Sequence, residues 1–450
     1  MELIVATDSQ NGIGYKGKLP WYSKEDLNYF RANTLDKSII VGRKTAQYLP
    51  YLDRRNILCL SRGTLNTQSW KNDVKLINSF SDPYLEDLEM KETIVIAGGA
   101  EVYRSALESG RVKIVYRTIV KGEFDTDTYF DPIWLHGFII TKEEISSLTG
   151  NIYQVLELAL NSEYQYLQLL DDVLLTGNER KGRNGTTLSL FMNTLKFDLR
   201  GGFPLLTTKR MFMRGILEEF LFFLRGDTDS TILSKAHVRI WEGNTSKEFL
   251  ASQSLSYAPG VMGPMYGYQW RYFNAPYLLD KEGRPLSPKG GIDQLANVVN
   301  LIKTDPYSRR ILMTSYNPSQ ASEGVLYPCH SITIQFYVQD KYLDMSCYNR
   351  SQDLFLGVPY NIASSSLLLL VISKLTGKTP RYISIIMGDT HLYDCHIDKA
   401  KLQAGRIPYL PPSLKIPNIE NLSDIAQLRA SDFYLQNYRS HKSIKALMVV

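Results

Sequence analysis

Polar and apolar positions alternate most regularly over residues 331–338, where Ile332, Ile334 and Phe336 are separated by polar side chains. A period of two predicts a half-buried strand. The segment Leu326-Tyr-Pro-Cys-His330 leads into it, so Cys329 is expected at a strand mouth, where a thiol faces a cavity instead of a packed core. Apolar runs at residues 3–6, 39–41, 57–60 and 93–97 predict short buried strands, and residues 152–158 predict another. Helical spacing places Tyr166, Leu169, Leu170 and Val173 on one face of a helix opening at Glu163. A second helix, residues 215–224, is hydrophobic apart from Glu218 and Glu219. Ser23 is a suitable N-cap for a helix that carries Asp26, Leu27 and Phe30.

No Gly/Ser/Pro-rich stretch separates the strand-like residues 152–158 from the helix at Glu163. Two domains are therefore expected, 1–160 and 161–450, joined with little slack. The chain has 450 residues, 44% of them hydrophobic and 22% charged, which is the composition of an ordinary soluble globular protein. A net charge of +5 is small for this length and argues against a dedicated nucleic-acid partner. It still favours small anionic ligands. Cys59, Cys329, Cys347 and Cys395 are dispersed without a C-x-x-C, which predicts neither a disulfide framework nor a metal site. Reduced thiols fit a cytoplasmic location. Residues 1–7 lack the basic start of a signal peptide, and the longest apolar run, 367–372, is too short to span a bilayer. No membrane partner is expected.

Gly12-Ile-Gly-Tyr-Lys-Gly17 satisfies G-x-G-x-x-G, but a dinucleotide fingerprint requires a helix to open on those glycines. Pro20 and Trp21 intervene here, and the motif is rejected. Cys329 and His330 are not a thiol–imidazole pair, because neighbours on a strand point to opposite faces. Arg350 supplies positive charge near the thiol in sequence, and Asn361 and His391 supply polar partners. Arg183, Arg309, Arg310 and Arg350 suit a clamp on a phosphate, although any single arginine is more often surface charge. From spacing alone, Asp26 is the N3 residue of a capping box on Ser23.

Tyr327-Pro-Cys-His330, the run 349–364 (Asn-Arg-Ser-Gln-Asp-Leu-Phe-Leu-Gly-Val-Pro-Tyr-Asn-Ile-Ala-Ser) and Gly388-Asp-Thr-His-Leu-Tyr393 resemble thymidylate synthases, from about residue 163 to the end. The resemblance implies an α+β domain that dimerises through its sheet. It makes Cys329 the nucleophile on C6 of dUMP, with 5,10-methylenetetrahydrofolate as one-carbon donor. Glu219 would manage protons, and Tyr266 would lie near C5 during proton removal. Arg183, Arg309, Arg310, Arg350, Ser351, Asp353, Asn361, His391 and Tyr393 would bind dUMP, with Arg309 and Arg310 reaching into the partner subunit of a homodimer. Asn361 would read uracil, accepting from N3–H and donating to O4. Trp241, Asn244, Asp353, Leu356, Gly357 and Tyr360 would contact folate. Asn349, Ser365 and Phe222 depart from the family's usual glutamine, tyrosine and tryptophan.

Ile4-Val-Ala6, Gly12-Ile-Gly14, Leu19-Pro-Trp21, Asp26-Leu27, Phe30, Val41-Gly-Arg-Lys-Thr45, Ser61-Arg62, Gly98-Gly-Ala-Glu-Val-Tyr103 and Asp127-Thr-Tyr-Phe130 resemble dihydrofolate reductases in order and spacing. The resemblance implies a twisted mixed α/β sheet with flanking helices. It turns Asp26 from a cap into the acid beside the pterin, bonded with Thr118. Ile4, Val5, Ala6, Leu27, Phe30 and Leu49 would line the dihydrofolate site, and residues 13–21 would form a mobile loop. Arg54 and Arg55 compete to clamp the glutamate carboxylate, and Arg54 is taken. Ala6, Ile13, Arg43, Lys44, Thr45, Ser61, Arg62, Gly98, Gly99, Ala100 and Tyr103 would hold NADPH, Ser61-Arg62 at its 2′-phosphate. Together the two resemblances imply a fused enzyme without a metal. A dCMP hydroxymethylase is the nearest alternative, disfavoured by Asn361. A degenerate nucleic-acid-binding regulator is the other, and retention of Cys329, Asp26 and Glu219 speaks against it.

Overall fold

The apolar runs of the N-terminal half become the interior of one eight-stranded sheet. From edge to edge it is Val74–Ile77, Asn56–Leu60, Ser38–Gly42, Ile94–Ile96, Glu2–Thr7, Ile114–Ile119, Ile152–Leu158 and Phe138–Ile145. The first six strands are parallel to their neighbours and the last two antiparallel. Parallel strands are covered on both faces, which is why they read as unbroken apolar runs. Leu3, Ile39, Ile40, Val41, Ile94, Val95 and Ile96 are accordingly buried. The computed structural model describes residues 1–63, 65–159, 161–182 and 184–449, and the chain divides into two units, Met1–Leu160 and Asn161–Val450.

The helix Lys24–Thr34 opens after Ser23, whose hydroxyl oxygen accepts from the Asp26 N–H at 3.3 Å. Gly12–Gly14 is a short strand paired with Thr128–Tyr129. No helix opens on the G-x-G-x-x-G.

The second unit holds a six-stranded sheet in the order Asn178–Gly182, Gly185–Asp198, Thr379–Tyr393, Tyr342–Asp353, Thr333–Gln339, Leu312–Thr314. Only Tyr342–Asp353 and Thr379–Tyr393 are parallel. Their crossover is the helix Gly357–Thr376. The strand expected at residue 331 begins at Thr333, because Ser331 has φ +53 and turns the chain out of the extended region. From there the alternation holds, with Ile334, Phe336 and Val338 inward. Gly357–Thr376 is long and apolar enough to cross a membrane by length and composition, which the short run 367–372 did not suggest. Buried for 78% of its apolar window, it is the central core helix, packed with Glu163–Thr176 and Met213–Arg225 in one apolar cluster.

Candidate active sites

In the N-terminal unit a cavity of about 1190 Å³ is lined by Ile4, Val5, Ala6, Ile13, Asp26, Leu27, Phe30 and Leu49 toward one side. Arg43, Lys44, Thr45, Ser61, Arg62, Gly98, Gly99, Ala100 and Tyr103 complete it. Tyr103 is fixed by donating its hydroxyl to the Ile4 carbonyl at 2.8 Å. Ser23 caps its helix through the Asp26 backbone, so the Asp26 carboxyl is left to the cavity. Burial raises its pKa above the ordinary carboxylate value, and a hydrogen bond with Thr118 opposes the rise. Thr118 itself is buried on the strand Ile114–Ile119.

The helices Arg43–Tyr48 and Ala100–Glu108 start at Gly42 and Gly99, which have no side chain to occupy the first N–H groups. Both glycines line the cavity. Arg43, Lys44 and Arg62 line the cavity beside them, which makes that end positively charged.

Arg54, expected at the carboxylate, is turned to the surface. Its backbone has φ +60, and its exposed guanidinium donates to Asp36 Oδ1 at 2.8 Å. It is not on the cavity; Arg55 is. Arg55 is braced by bonds to Thr34 Oγ1 at 3.1 Å and to the Asp53 carbonyl at 2.9 Å. The left-handed residue turns the chain so that the next side chain, not this one, faces inward.

In the second unit Cys329 Sγ lies 3.4 Å from the Tyr266 hydroxyl, which also accepts from the Cys329 N–H at 3.3 Å. Tyr266 has φ +46, and a Cβ on Gly267 would fall 1.9 Å from the Phe223 carbonyl oxygen. Only glycine lets the tyrosine turn press this closely on the helix Met213–Arg225. That helix carries Glu219, which accepts the Trp241 indole N–H at 2.8 Å. Burial pushes the Glu219 carboxyl up to about 7, against the lowering effect of the indole. Burial and then Glu219 itself raise the Tyr360 pKa. Asn244 is buried close after Trp241 in sequence.

Arg350 donates to the Pro328 carbonyl at 2.8 Å and the Tyr327 carbonyl at 3.0 Å, stapling the loop that presents Cys329. The Ser351 N–H donates to the Cys329 carbonyl at 3.4 Å. Asn361 donates to Gln352 Oε1 at 2.9 Å, which fixes the direction of its amide. His391 Nδ1 is 3.2 Å from Asp389 Oδ1, and its ring meets Tyr393 edge-on at 5.2 Å. Asp353 Oδ1 accepts from the Phe355 and Leu356 N–H groups at 2.9 and 3.0 Å, so one carboxylate oxygen shapes the turn into Gly357. Arg309 and Arg310 lie exposed on the loop before Leu312–Thr314, and Arg183 falls outside the described residues.

Sequence reasoning missed several of these partners. His330 stacks on Tyr266 at 4.3 Å, and burial lowers its pKa to about 4, so the imidazole is neutral. Lys209 is buried, donates to the Phe355 carbonyl, and is lowered to about 7 by burial. Glu163 accepts from the N–H and hydroxyl groups of Thr207 and Thr208 at 2.6–3.0 Å. Only the pair of threonines before a lysine hinted at this arrangement. Among the described residues, no three His, Cys, Asp or Glu side chains converge as a metal site.

The thymidylate synthase family model matches residues 164–450, and the dihydrofolate reductase model matches residues 1–156. Similar proteins include a bifunctional dihydrofolate reductase-thymidylate synthase of Leishmania major, 34% identical over all of this chain and 95% of the relative. Proteins of the same description from Zea mays and Paramecium tetraurelia are each 32% identical, covering 100% of this chain and 96% and 98% of theirs. With both family signatures in order and relatives that match from end to end, the chain belongs to the bifunctional dihydrofolate reductase–thymidylate synthase family, an oxidoreductase unit and a methyltransferase unit on one polypeptide.

Proposed function

We propose that the C-terminal unit methylates dUMP to dTMP and that the N-terminal unit reduces the dihydrofolate this produces. The grouping of Cys329, Tyr266, Trp241 and Glu219 carries the reading. The Cys329 thiolate adds to C6 of the uracil, and the electron pair displaced from the C5–C6 bond is held as an enolate at C4–O4. Asn361 supplies the remaining amide N–H to O4 and its oxygen to N3–H, favouring uracil over cytosine. Glu219, raised to about 7, both holds and releases a proton at neutral pH. Tyr266, beside the thiol, lies near C5 during removal of its proton, and burial keeps its own phenol protonated. His391 and Tyr393 hold the ribose, and Trp241, Asn244, Asp353, Leu356, Gly357 and Tyr360 form the folate wall. When bound, methylenetetrahydrofolate supplies the carbon and the hydride that complete the methyl group.

In the reductase cavity, the uncapped glycine helix starts, Arg43, Lys44, Thr45, Ser61 and Arg62 fit the phosphates of NADPH, which supplies the hydride when bound. Asp26 and Thr118 orient the pterin and deliver the proton for N5. Arg55, not Arg54, takes the glutamate carboxylate. We place Arg183, Arg309, Arg310 and Arg350 on the dUMP phosphate, Arg309 and Arg310 from the partner of a homodimer. Exposed Phe191, Met192, Leu312 and Tyr337 on the sheet strands support that association. The four free cysteines fit a cytoplasmic enzyme.

The coupled assay tests the whole: with dUMP, methylenetetrahydrofolate and NADPH, dTMP appears and NADPH is oxidised together. Cys329→Ser stops the first and leaves reduction of added dihydrofolate at its normal rate. Equal loss of both activities in a folded variant contradicts two separate sites.

A further inference from the structure

We infer that Asp8 and Arg117 are positioning residues of the reductase: they lock one turn that sets the cavity wall formed by Ile13, Gly14 and residues 17–19, without lining the cavity themselves. The inference rests on the reductase reading of this unit. Asp8 follows the first strand and is only 1% exposed. Its Oδ1 accepts from the Gln10 N–H at 2.9 Å and the Gly12 N–H at 2.7 Å, and its Oδ2 has no partner among the described residues. The backbone closes the same turn, with the Asn11 N–H donating to the Asp8 carbonyl at 3.2 Å and the Asp8 N–H to the Gly12 carbonyl at 3.0 Å.

Arg117 grips the turn from the neighbouring strand Ile114–Ile119. Asn11 sits at φ +65 at its apex, and Asn11 Oδ1 accepts from Arg117 Nη2 at 2.7 Å. The Asn11 carbonyl accepts from the Phe130 N–H at 2.9 Å. Arg117 adjoins Thr118 on Ile114–Ile119, and strand alternation points it away from the face that Thr118 gives to Asp26. Its Nε has no partner among the described residues.

A carboxylate as deep as Asp8, held beside a half-buried guanidinium, is a poor way to gain stability, since apolar residues of like volume serve as well or better. Their location gives them another use. A Cβ on Gly12 would lie 2.4 Å from Thr126 Cγ2, so the turn cannot slide past that loop. Directly beyond it Ile13 and Gly14 line the cavity, followed by Gly17, Lys18 and Leu19. The Lys16 N–H then donates to Asp127 Oδ2 at 2.8 Å, securing the far side. A carboxylate within the turn and a guanidinium on the adjacent strand thus fix residues 8–12 together.

The test uses the full-length protein and two readouts. In the ligand-free state, hydrogen exchange at the Gln10 and Gly12 amides should accelerate at least about tenfold in Asp8→Ala, because each loses its acceptor. Asn11→Gly keeps the positive φ without strain and removes only the acceptor of Arg117, so it serves where Asp8→Ala folds poorly. Both should slow NADPH oxidation by roughly 10- to 100-fold, the scale of a misplaced reacting group, with the kinetic isotope effect of deuterated NADPH more fully expressed. Asp8→Asn, which keeps an oxygen acceptor, should recover most of the loss. Synthesis of dTMP on the same chain should be unchanged. Unaltered exchange, or a lower melting temperature with a normal hydride rate, overturns the inference. If the unmutated chain does not oxidise NADPH with dihydrofolate, the reductase reading falls and the proposed role with it, whatever the exchange data show of the turn.

Discussion

Replacing Glu219 by glutamine separates proton handling from packing. Glutamine keeps the volume and an oxygen that accepts from the Trp241 indole, so the 2.8 Å bond survives. What disappears is the titration. Burial raises the carboxyl from 4.5 to about 7, which at ~1.4 kcal/mol per unit corresponds to ~3 kcal/mol. The side chain keeps a partly exposed edge, so this is an upper bound. The sign follows from linkage: the unfolded chain loses this proton near 4.5 and the folded chain near 7. The contribution to wild-type stability is therefore complete below 4.5, is lost as pH rises through about 7, and is flat above. Glu219→Gln lacks that decline. It should exceed wild type by up to ~3 kcal/mol at about pH 8 and lose the advantage by about pH 4. Urea unfolding of the two proteins across this range measures the difference. Formation of dTMP should fall about 10²- to 10⁴-fold, with dUMP binding retained in equilibrium titration. Parallel stability curves, or near-normal turnover, refute the reasoning.

Asp26→Asn should lower NADPH oxidation about 10²- to 10⁴-fold at neutral pH and recover partly in acid, where solvent protonates the substrate. A residue that merely capped its helix would instead cost about 1 kcal/mol in a melting curve and leave the rate alone. Arg55→Leu should raise the KM for dihydrofolate about 10- to 100-fold, the worth of a charge-assisted bond, whereas Arg54→Leu loses only a surface ion pair and keeps its KM. Asn361→Asp should shift preference toward dCMP in a competition assay and lower total turnover, because an ionised carboxylate then faces Gln352 Oε1.

Where side-chain period and backbone period coincide, the sequence was legible. The alternation around Ile334 and Phe336, the Ser23 cap and the buried parallel strands all follow from nearest-neighbour rules and appear where those rules put them, to within two residues. The family motifs likewise brought Asp26 to a cavity and Cys329 to Tyr266. Positive-φ residues broke the rules. Ser331 delayed a strand, and Arg54 passed its inward direction to Arg55. Side chains whose setting comes from distant segments were also invisible. The desolvation of Lys209, the stacking of His330 and the threonine cradle around Glu163 each need partners far along the chain.

The strand Gly185–Asp198 finds one long partner only in Thr379–Tyr393, registered from Thr187 opposite Tyr393 to Asp198 opposite Tyr382. At roughly 5–20 residues per second of synthesis, that edge of the strand waits on the order of tens of seconds for its partner to be made. The wait in the N-terminal sheet is shorter, since Glu2–Thr7 finds its partners in Ile94–Ile96 and Ile114–Ile119. All strands of the reductase sheet thus exist in the nascent chain before the synthase sheet has begun. A chain arrested before Thr379 leaves that strand an open edge, the arrangement that templates pairing with other chains.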